Sequence, residues 1–262
     1  MADINSAKGM DGARRYEDKV VLVTGAASGI GQAVARRLGA EGGSVACLDL
    51  VIDGAVATAG SIADNGGTAT AIECNVTDEG SVASAVSATL DEYGRLDVVC
   101  NVAGVGGMAK SHEETLDQWD RILAVNLTGT FLVCRETIPA LLESGGVIVN
   151  TASTAGLMGH PWSAAYCASK GGVVQLTRAL AYEYRPSPMR VVAVSPGGVE
   201  TPIMDSFATV PEGENWKMLK KAMTERGFCQ PDEVASCYAY LASDEAYYMT
   251  GSIVTYDGGI VV

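Results

Sequence analysis

The stretch Val20-Val-Leu-Val-Thr-Gly-Ala-Ala-Ser-Gly-Ile-Gly31 is the strongest indication of the fold in this chain. Four apolar residues, typical of a strand buried on both faces, lead into a glycine-rich turn and then a segment of helical period. A strand that ends at Thr24 and a helix that begins after Gly29 place this turn at a helix N-terminus, which favours a pyrophosphate. Because a glycine motif alone is a weak signal, a simple strand-helix turn is the alternative.

The same alternation of short apolar runs and longer helical segments continues along the chain. The predicted strands are residues 19–24, 44–50, 68–74, 96–102, 146–151, 190–195 and 252–256. The predicted helices lie near residues 30–41, 81–93, 116–142, 163–184 and 232–242. Since such alternation produces parallel sheets with right-handed crossovers, we predict a single-domain α/β protein. Its fold is a doubly wound Rossmann fold, a seven-stranded parallel sheet with helices on both faces.

Composition limits the partners of this chain. The 262 residues are 48% hydrophobic, and no Pro-rich or Ser/Gly-rich linker divides them. A net charge of −13 disfavours nucleic acid and anionic membrane surfaces, which both require clustered Lys and Arg. The apolar runs are far shorter than the roughly 20 residues of a membrane span. We therefore predict a cytoplasmic protein that acts on a small molecule, without nucleic-acid or membrane partners.

The N-terminal residues and the cysteines lead to two further expectations. Residues 1–17 lack the continuous apolar centre of a signal peptide, so we predict a flexible tail followed by a catalytic domain over residues 18–262. The seven cysteines lie mostly inside apolar runs, without a Cys-x-x-Cys pair, and the chain has only two histidines. This pattern predicts buried thiols in a reducing cytosol and no metal site.

Tyr166, Lys170 and Ser153 carry the chemistry. On a helix, residues four apart share one face, so Tyr166 and Lys170 can both point at a ligand along the sheet edge. A nearby ammonium favours the phenolate and should lower the tyrosine pKa from its ordinary value near 10. Ser153 can hold a substrate oxygen while Tyr166 transfers the proton and a nicotinamide cofactor carries the hydride. Solvent-exposed helix positions are the alternative for Tyr166 and Lys170.

These motifs together resemble the classical short-chain dehydrogenase/reductase family, from about Lys19 to Gly259. The family's glycine-rich element matches residues 24–31, its Asn-x-Ala-Gly element residues 101–104, its Pro-Gly element residues 196–197 and its C-terminal signature residues 257–259. The resemblance implies a catalytic set of Asn126, Ser153, Tyr166 and Lys170. In that set Asn126 holds a water in a proton relay, and Lys170 also binds the nicotinamide ribose. The resemblance further implies a homotetramer assembled through the helices near residues 116–142 and 163–184.

Asp49 indicates which cofactor is used. It ends the second strand, where a carboxylate accepts both adenosine-ribose hydroxyls of NAD and repels the 2′-phosphate of NADP. Neither Leu50 nor Val51 offers the cation that NADP requires, so we predict NAD rather than NADP. A solvated strand-end Asp is the alternative. Asn75, where many family members have Asp, can either hydrogen-bond adenine or form an Asx turn.

The predicted cofactor contacts follow the carboxyl edge of the sheet. They are Gly25, Ser28, Gly29, Ile30, Gly31, Asp49, Leu50, Asn75, Val76, Asn101, Ala103, Gly104, Tyr166, Lys170, Pro196, Gly197, Val199 and Thr201. By resemblance, the last two anchor the carboxamide. Plain turns are the alternative for residues 101–104 and 195–202. Val102 stands where many members have a second Asn.

A lid and an apolar pocket are expected over the substrate. By resemblance, the lid follows the sixth strand, at about residues 201–227. The predicted pocket residues are Met108, Leu157, Met158, His160, Trp162, Met204 and Phe207. Met and Trp side chains suit a bulky, uncharged or alicyclic molecule, and no Arg or Lys is evident for a carboxylate or phosphate. Core or subunit contacts are the alternative for these apolar residues, and a plain loop position for His160.

The leading hypothesis is an NAD-dependent oxidoreductase that interconverts a secondary alcohol and its ketone, with a steroid-like, terpenoid or alicyclic substrate. The alternative within this fold is a 3-oxoacyl thioester reductase acting on acyl carrier protein or CoA thioesters, against which the −13 charge and Asp49 count. A regulator that senses NADH without catalysis would have lost part of the catalytic set, and nothing is lost here. The identity and stereochemistry of the substrate, the physiological direction and the pathway are beyond the sequence.

Overall fold

The computed structural model describes residues 14–208 and 210–262. Within them, one sheet contains seven parallel strands: β1 Val20–Thr24, β2 Ser44–Asp49, β3 Thr68–Glu73, β4 Val98–Asn101, β5 Val147–Thr151, β6 Arg190–Pro196 and β7 Ile253–Tyr256. Their spatial order is β3-β2-β1-β4-β5-β6-β7. The predicted doubly wound parallel sheet is thereby confirmed.

The helices agree with the prediction except at two places. They are α1 Gly29–Ala40, α2 Ile52–Asp64, α3 Glu79–Tyr93, α4 Leu116–Leu123, α5 Gly129–Ser144, α6 Ala164–Glu183 and α7 Pro231–Ala242. Helix α2 was not predicted; small residues make up much of it, with four Ala and two Gly among its 13 residues. The single helix predicted over residues 116–142 is observed as one continuous helical segment, in which a π-helical turn at Ala124–Thr128 lies between α4 and α5.

Two apolar cores lie on opposite faces of the sheet. Alternate residues of β1 face opposite ways, so that Val21 and Val23 pack with α1, α2 and α7, whereas Val20 and Leu22 pack with α3, α5 and α6. Burial on both faces explains why the strands are continuous β-branched and apolar runs. The sheet is therefore a rigid support whose carboxyl edge is available for a site.

The strand order reverses between β1 and β4, which places a crevice at their carboxyl ends. Thr24 at the end of β1 joins the two strands there, because its Oγ1 accepts hydrogen bonds from the backbone N–H of Val102 at 3.0 Å and of Ala103 at 3.2 Å. The glycine-rich turn and the segment after β4 consequently meet at one point.

The predicted N-terminal tail is wrong for residues 14–17. Tyr16 is 1% exposed, and its hydroxyl donates a hydrogen bond to the Ala239 carbonyl oxygen in α7. Arg15 forms a bidentate ion pair with Glu41, with N···O distances of 2.6 and 2.8 Å. These contacts attach the segment to the core, while residues 1–13 of the predicted tail lie outside the described residues.

Two simpler expectations concern thiols and membranes. All seven cysteines are free; Cys47, Cys74, Cys100 and Cys134 are buried, and burial raises the pKa of the Cys47 thiol to about 12. The remaining three cysteines are half-buried. Across the described part of the chain, none of the helices combines the length and apolar character that a membrane crossing requires.

Candidate active site

The glycine-rich turn allows three close approaches. A Cβ on Gly25, whose φ is +71°, would lie 2.8 Å from the Ala103 Cα atom. A Cβ on Gly31 would lie 2.0 Å from the Gly25 carbonyl oxygen, so this glycine lets α1 begin directly against the turn. Gly29, with φ +54°, has Thr201 Cγ2 3.1 Å from the position of a Cβ. The turn is thus shaped by backbone contacts on one side and open on the side of the cleft.

A cleft of about 900 Å³ runs along this edge of the sheet. Every predicted cofactor contact except Asn101 lines it. The free N–H groups at the start of α1 face an anion favourably, and the three glycines leave room for one to approach. A dinucleotide therefore fits the residues that are present.

Asp49 is held rigidly at the end of β2. Its Oδ2 accepts a hydrogen bond from the Ala27 N–H and its Oδ1 accepts one from the Val51 N–H, both at 2.9 Å. The lining residues next to it are the uncharged Leu50 and Val51. This end of the cleft consequently presents a carboxylate without a neighbouring cation among its lining residues.

Asn75 and Asn101 are both hydrogen-bonded within the protein. The Asn75 side-chain oxygen accepts hydrogen bonds from the N–H and the hydroxyl of Thr77, at 3.1 and 2.8 Å, so the Asx-turn alternative is the one observed. Asn101, predicted to contact the cofactor, does not line the cleft. Asn101 is buried behind the cleft, where its Nδ2 donates to Asn150 Oδ1 at 2.9 Å, because the β4 end is packed against β5.

Tyr166, Lys170 and Ser153 meet in the middle of the cleft. Tyr166 and Lys170 lie one turn apart on α6, with Lys170 Nζ 5.9 Å from the centroid of the Tyr166 ring. The Lys170 Nζ atom donates a hydrogen bond to the Thr151 carbonyl oxygen at 2.8 Å. Ser153, just after β5, lies beside the Tyr166 side chain in the lining of the cleft. The predicted solvent-exposed alternative does not apply to Lys170, which is only 3% exposed.

Burial determines the ionisation of this pair. Burial raises the pKa of Tyr166, and the neighbouring Ser153 side chain acts in the opposite direction. Burial also lowers the pKa of Lys170 to about 8. Although Lys170 is expected to lower the tyrosine pKa, in this structure desolvation raises it.

Asn126, expected in the catalytic set, is not among the residues that line the cleft. It lies fully buried in the π-helical turn Ala124–Thr128. Its side-chain oxygen accepts from the Val105 N–H at 2.8 Å, and its Nδ2 donates to the Val105 carbonyl at 2.9 Å and to Ser169 Oγ at 3.1 Å. The π turn thus joins the segment after β4 to α6, which carries the catalytic pair.

The substrate end of the cleft contains part of the predicted pocket. Met108, His160, Met204 and Phe207 line it, and the Phe207 ring packs edge-on against Tyr166 with 5.2 Å between the centroids. Leu157, Met158 and Trp162, also predicted for the pocket, are not among the residues that line the cleft. Leu157 packs instead against a buried cluster. The Trp162 backbone takes a φ of +57° and its carbonyl accepts a hydrogen bond from the Ala109 N–H.

Several lining residues were missed in the sequence. They include Val105, Arg121, Val125 and Phe228. No Arg or Lys was evident in the sequence for a carboxylate or phosphate, whereas Arg121 lines both the cleft and an adjoining cavity of about 260 Å³. In the sequence, Arg121 could have been noticed because it lies five residues before Asn126. The direction of its side chain depends on the turn after α4.

The predicted lid is a segment of short helical turns. 3₁₀ turns at Pro202–Phe207 and Trp216–Ala222 supply Met204, Phe207 and Trp216 to the cleft. An ion pair between Lys110 and Glu214, 3.7 Å apart, joins this segment to the loop before α4. Thr209, inside the predicted lid, lies outside the described residues.

Lys170→Met is expected to stabilise the folded protein at pH 7. The usual lysine pKa of 10.5 falls to about 8 in the fold, which corresponds to a cost on the order of 3 kcal/mol, while loss of the hydrogen bond to Thr151 costs about 1 kcal/mol. Below pH 8 Lys170 is protonated in both the folded and the unfolded state, so the full cost of burying its charge lowers the stability of the wild type. Between pH 8 and 10.5 Lys170 is protonated only in the unfolded state, so the free energy of unfolding of the wild type increases as the pH rises.

The measurement is urea unfolding of both proteins at pH 7 and pH 10. We expect the variant to be roughly 2 kcal/mol more stable at pH 7 and to lose most of this advantage at pH 10. Lys217→Met, at an exposed position, is the matched control and should change neither value. A stability difference between Lys170→Met and wild type that is the same at both pH values would contradict the assignment.

The chain is similar to known dehydrogenases and reductases over most of its length. A family profile described as Enoyl-(Acyl carrier protein) reductase matches residues 25–261. D-threitol dehydrogenase of Mycolicibacterium smegmatis is 40% identical, with 95% of each chain covered. 3beta-hydroxysteroid dehydrogenase of Mediterraneibacter gnavus is 35% identical, over 94% of this chain and 95% of that one. A 3-ketoacyl-(acyl-carrier-protein) reductase from Brucella melitensis, solved in complex with NADH, has a TM-score of 0.85 at 35% identity, covering 94% of this chain and 99% of that one.

Proposed function

Since this chain belongs to the classical short-chain dehydrogenase/reductase family, whose members act on CH–OH groups, we propose that it is NAD-dependent and interconverts a bulky or cyclic secondary alcohol and its ketone. The observation that carries this proposal is the meeting of Tyr166, Ser153 and Lys170 in a cleft whose far end is lined by Met108, Met204 and Phe207. Apolar and aromatic walls around one polar centre suit an alcohol on a largely apolar body. The predicted homotetramer and cytoplasmic location stay predictions.

The side chains divide the proton chemistry between them. Tyr166 gives a proton to the substrate oxygen in the direction of reduction and removes it in the direction of oxidation. Ser153 donates a hydrogen bond to the same oxygen and stabilises the charge that develops there. The Lys170 ammonium lies near the Tyr166 ring and stabilises the phenolate whenever the proton has left. The nicotinamide, when bound, accepts or supplies the hydride.

Asp49 supports NAD as the cofactor. Its carboxylate is fixed by the N–H groups of Ala27 and Val51 beside the glycine-rich turn. A fixed carboxylate accepts ribose hydroxyls well and repels a 2′-phosphate, because no rotation can move the charge away without breaking both hydrogen bonds. The basic lining residues, Lys170 and Arg121, belong to the catalytic centre and to the substrate end.

A second candidate function is reduction of a 3-oxoacyl thioester. Arg121 is the observation that favours it, because a guanidinium at the substrate end can bind the phosphate of a CoA or phosphopantetheine carrier. A net charge of −13 disfavours docking of an acidic carrier protein. We therefore rank this candidate second.

The test combines a coenzyme and a substrate panel. Purified protein is mixed with NAD or NADP and steroid, terpenoid, cyclic and linear secondary alcohols, and with NADH or NADPH and 3-oxoacyl thioesters, while nicotinamide absorbance is followed. We expect turnover with NAD and a bulky cyclic alcohol. Turnover confined to NADPH and an acyl thioester would overturn both the cofactor and the substrate proposed.

An Asp49→Asn variant tests whether the Asp49 carboxylate determines the preference for NAD over NADP. Loss of the charge should shift the affinity ratio of NADH to NADPH by at least about tenfold towards NADPH, because one unit of repulsion at close range is removed. Asp53→Asn, an exposed carboxylate four residues further on, is the matched control and should leave the ratio unchanged. Titration by nicotinamide fluorescence measures both affinities without a substrate.

A further inference from the structure

A buried tyrosine behind the sheet is connected to the catalytic centre. Tyr238 of α7 is fully buried, yet its neighbours in that helix are mainly apolar. Packing alone would be served by a phenyl ring, and a buried hydroxyl is costly unless it is hydrogen-bonded. The Tyr238 hydroxyl lies 2.6 Å from Thr151 Oγ1.

The direction of this hydrogen bond follows from Thr151. Its Oγ1 donates its single proton to the Asn101 carbonyl oxygen at 2.5 Å. A hydroxyl has one proton, so the Tyr238 hydroxyl must be the donor to Thr151. The Thr151 side chain is therefore held from two sides, by the end of β4 and by α7.

The backbone of the same threonine holds the catalytic lysine. The Thr151 carbonyl oxygen accepts the 2.8 Å hydrogen bond from Lys170 Nζ, and Thr151 also lines the cleft. Because Lys170 is buried, this carbonyl replaces part of the hydration that the ammonium has lost. Any shift in Thr151 moves the acceptor on which the position of Nζ depends.

We propose that Tyr238 and Thr151 are positioning residues for Lys170. Tyr238 holds the Thr151 side chain, and Thr151 in turn places the lysine ammonium against the nicotinamide ribose and beneath the Tyr166 ring. This inference rests on the proposed function, in which Lys170 binds the ribose. It couples α7, on the far face of the sheet, to the chemistry, since small displacements of a catalytic group reduce its effect.

The test compares Tyr238→Phe, Thr151→Val and Thr151→Ser. Thr151→Val removes the hydroxyl at nearly constant shape, whereas Thr151→Ser keeps it and so serves as the rescue variant. Tyr240→Phe, in the same helix but 41% exposed, is the control for loss of a tyrosine hydroxyl. NADH affinity is measured by fluorescence titration, and kcat and the KM for NAD are measured with the best alcohol of the panel.

We expect Tyr238→Phe and Thr151→Val each to weaken NADH binding about three- to tenfold and to lower kcat, while Thr151→Ser and Tyr240→Phe stay near wild type. Folded Tyr238→Phe and Thr151→Val proteins with lower melting temperatures but unchanged NADH affinity and kcat would overturn the inference, because that is the result of a purely structural role. If Tyr238→Phe does not fold, the comparison of Thr151→Val with Thr151→Ser tests the inference instead. Absence of NADH binding by the wild type would overturn the proposed function itself, and this inference with it.

Discussion

Replacing Tyr166 with Phe is expected to lower kcat/KM at least about 100-fold, within the range of a lost general acid-base group. The variant keeps the ring that packs against Phe207 and loses only the hydroxyl beside Ser153. NADH affinity should stay within about threefold of wild type, because Lys170 keeps its hydrogen bond to Thr151. Steady-state kinetics with the best alcohol and NADH titration give the two numbers.

Tyr182→Phe is the matched control for this experiment. Tyr182 lies on the same helix, α6, but is 71% exposed, so removal of its hydroxyl should leave the kinetics unchanged. Turnover of Tyr166→Phe at more than about a tenth of the wild-type rate would contradict the role of Tyr166 in proton transfer. A joint loss of turnover and NADH binding would instead mean that the hydroxyl supports the cofactor site.

Gly31→Ala is expected to prevent formation of the cofactor site. The new Cβ would lie 2.0 Å from the Gly25 carbonyl oxygen and 2.6 Å from the Gly25 carbonyl carbon, and both belong to backbone that cannot rotate away. Either α1 or the glycine-rich turn must move. We expect a loss of stability above about 3 kcal/mol, beyond the usual range for overpacking. Thermal unfolding and NADH titration measure the two effects.

Gly60→Ala is the control, because it makes the same change where nothing lies within 4 Å of the new Cβ. Gly60 is inside α2, where alanine is the better helix former by about 0.5–1 kcal/mol, so this variant should be slightly more stable than wild type. If Gly31→Ala unfolded at the wild-type temperature and bound NADH normally, the close approach described for the turn would be incorrect.

The strands and the catalytic pair were predictable because their signals are local. The continuous apolar run at residues 20–24 indicates a strand that is buried on both faces. Its position before the glycine-rich turn indicates that the carboxyl end of this strand faces the site. The spacing of Tyr166 and Lys170 places them on one helix face wherever that helix lies. Helix α2 was missed although its buried residues Ala55, Thr58, Ala59 and Ile62 recur at helical spacing.

The errors at the site concern residues whose role depends on distant neighbours. Leu157 and Trp162 were assigned to the pocket by type, but the loop after β5 turns them away from the cleft. Arg121 was not predicted as a lining residue. A π turn follows its helix, and the apolar pattern of the sequence does not indicate such a turn. Asn101 ends a strand as predicted, yet the close pairing of β4 with β5 buries its side chain behind the site.

The parallel sheet, the glycine-rich turn, the carboxylate at Asp49 and the pairing of Tyr166 with Lys170 could be read from the sequence, because each follows from periodicity or spacing within a few residues of one element. Ser153 lies outside α6, and the resemblance to the family joined it to that pair. The burial of Lys170, the Asx turn at Asn75 and the hydrogen bonds from Tyr238 through Thr151 became visible in the folded structure alone. These depend on the surroundings that distant segments create, so the desolvation and pairing that set a group's charge and position arise only when the chain has folded.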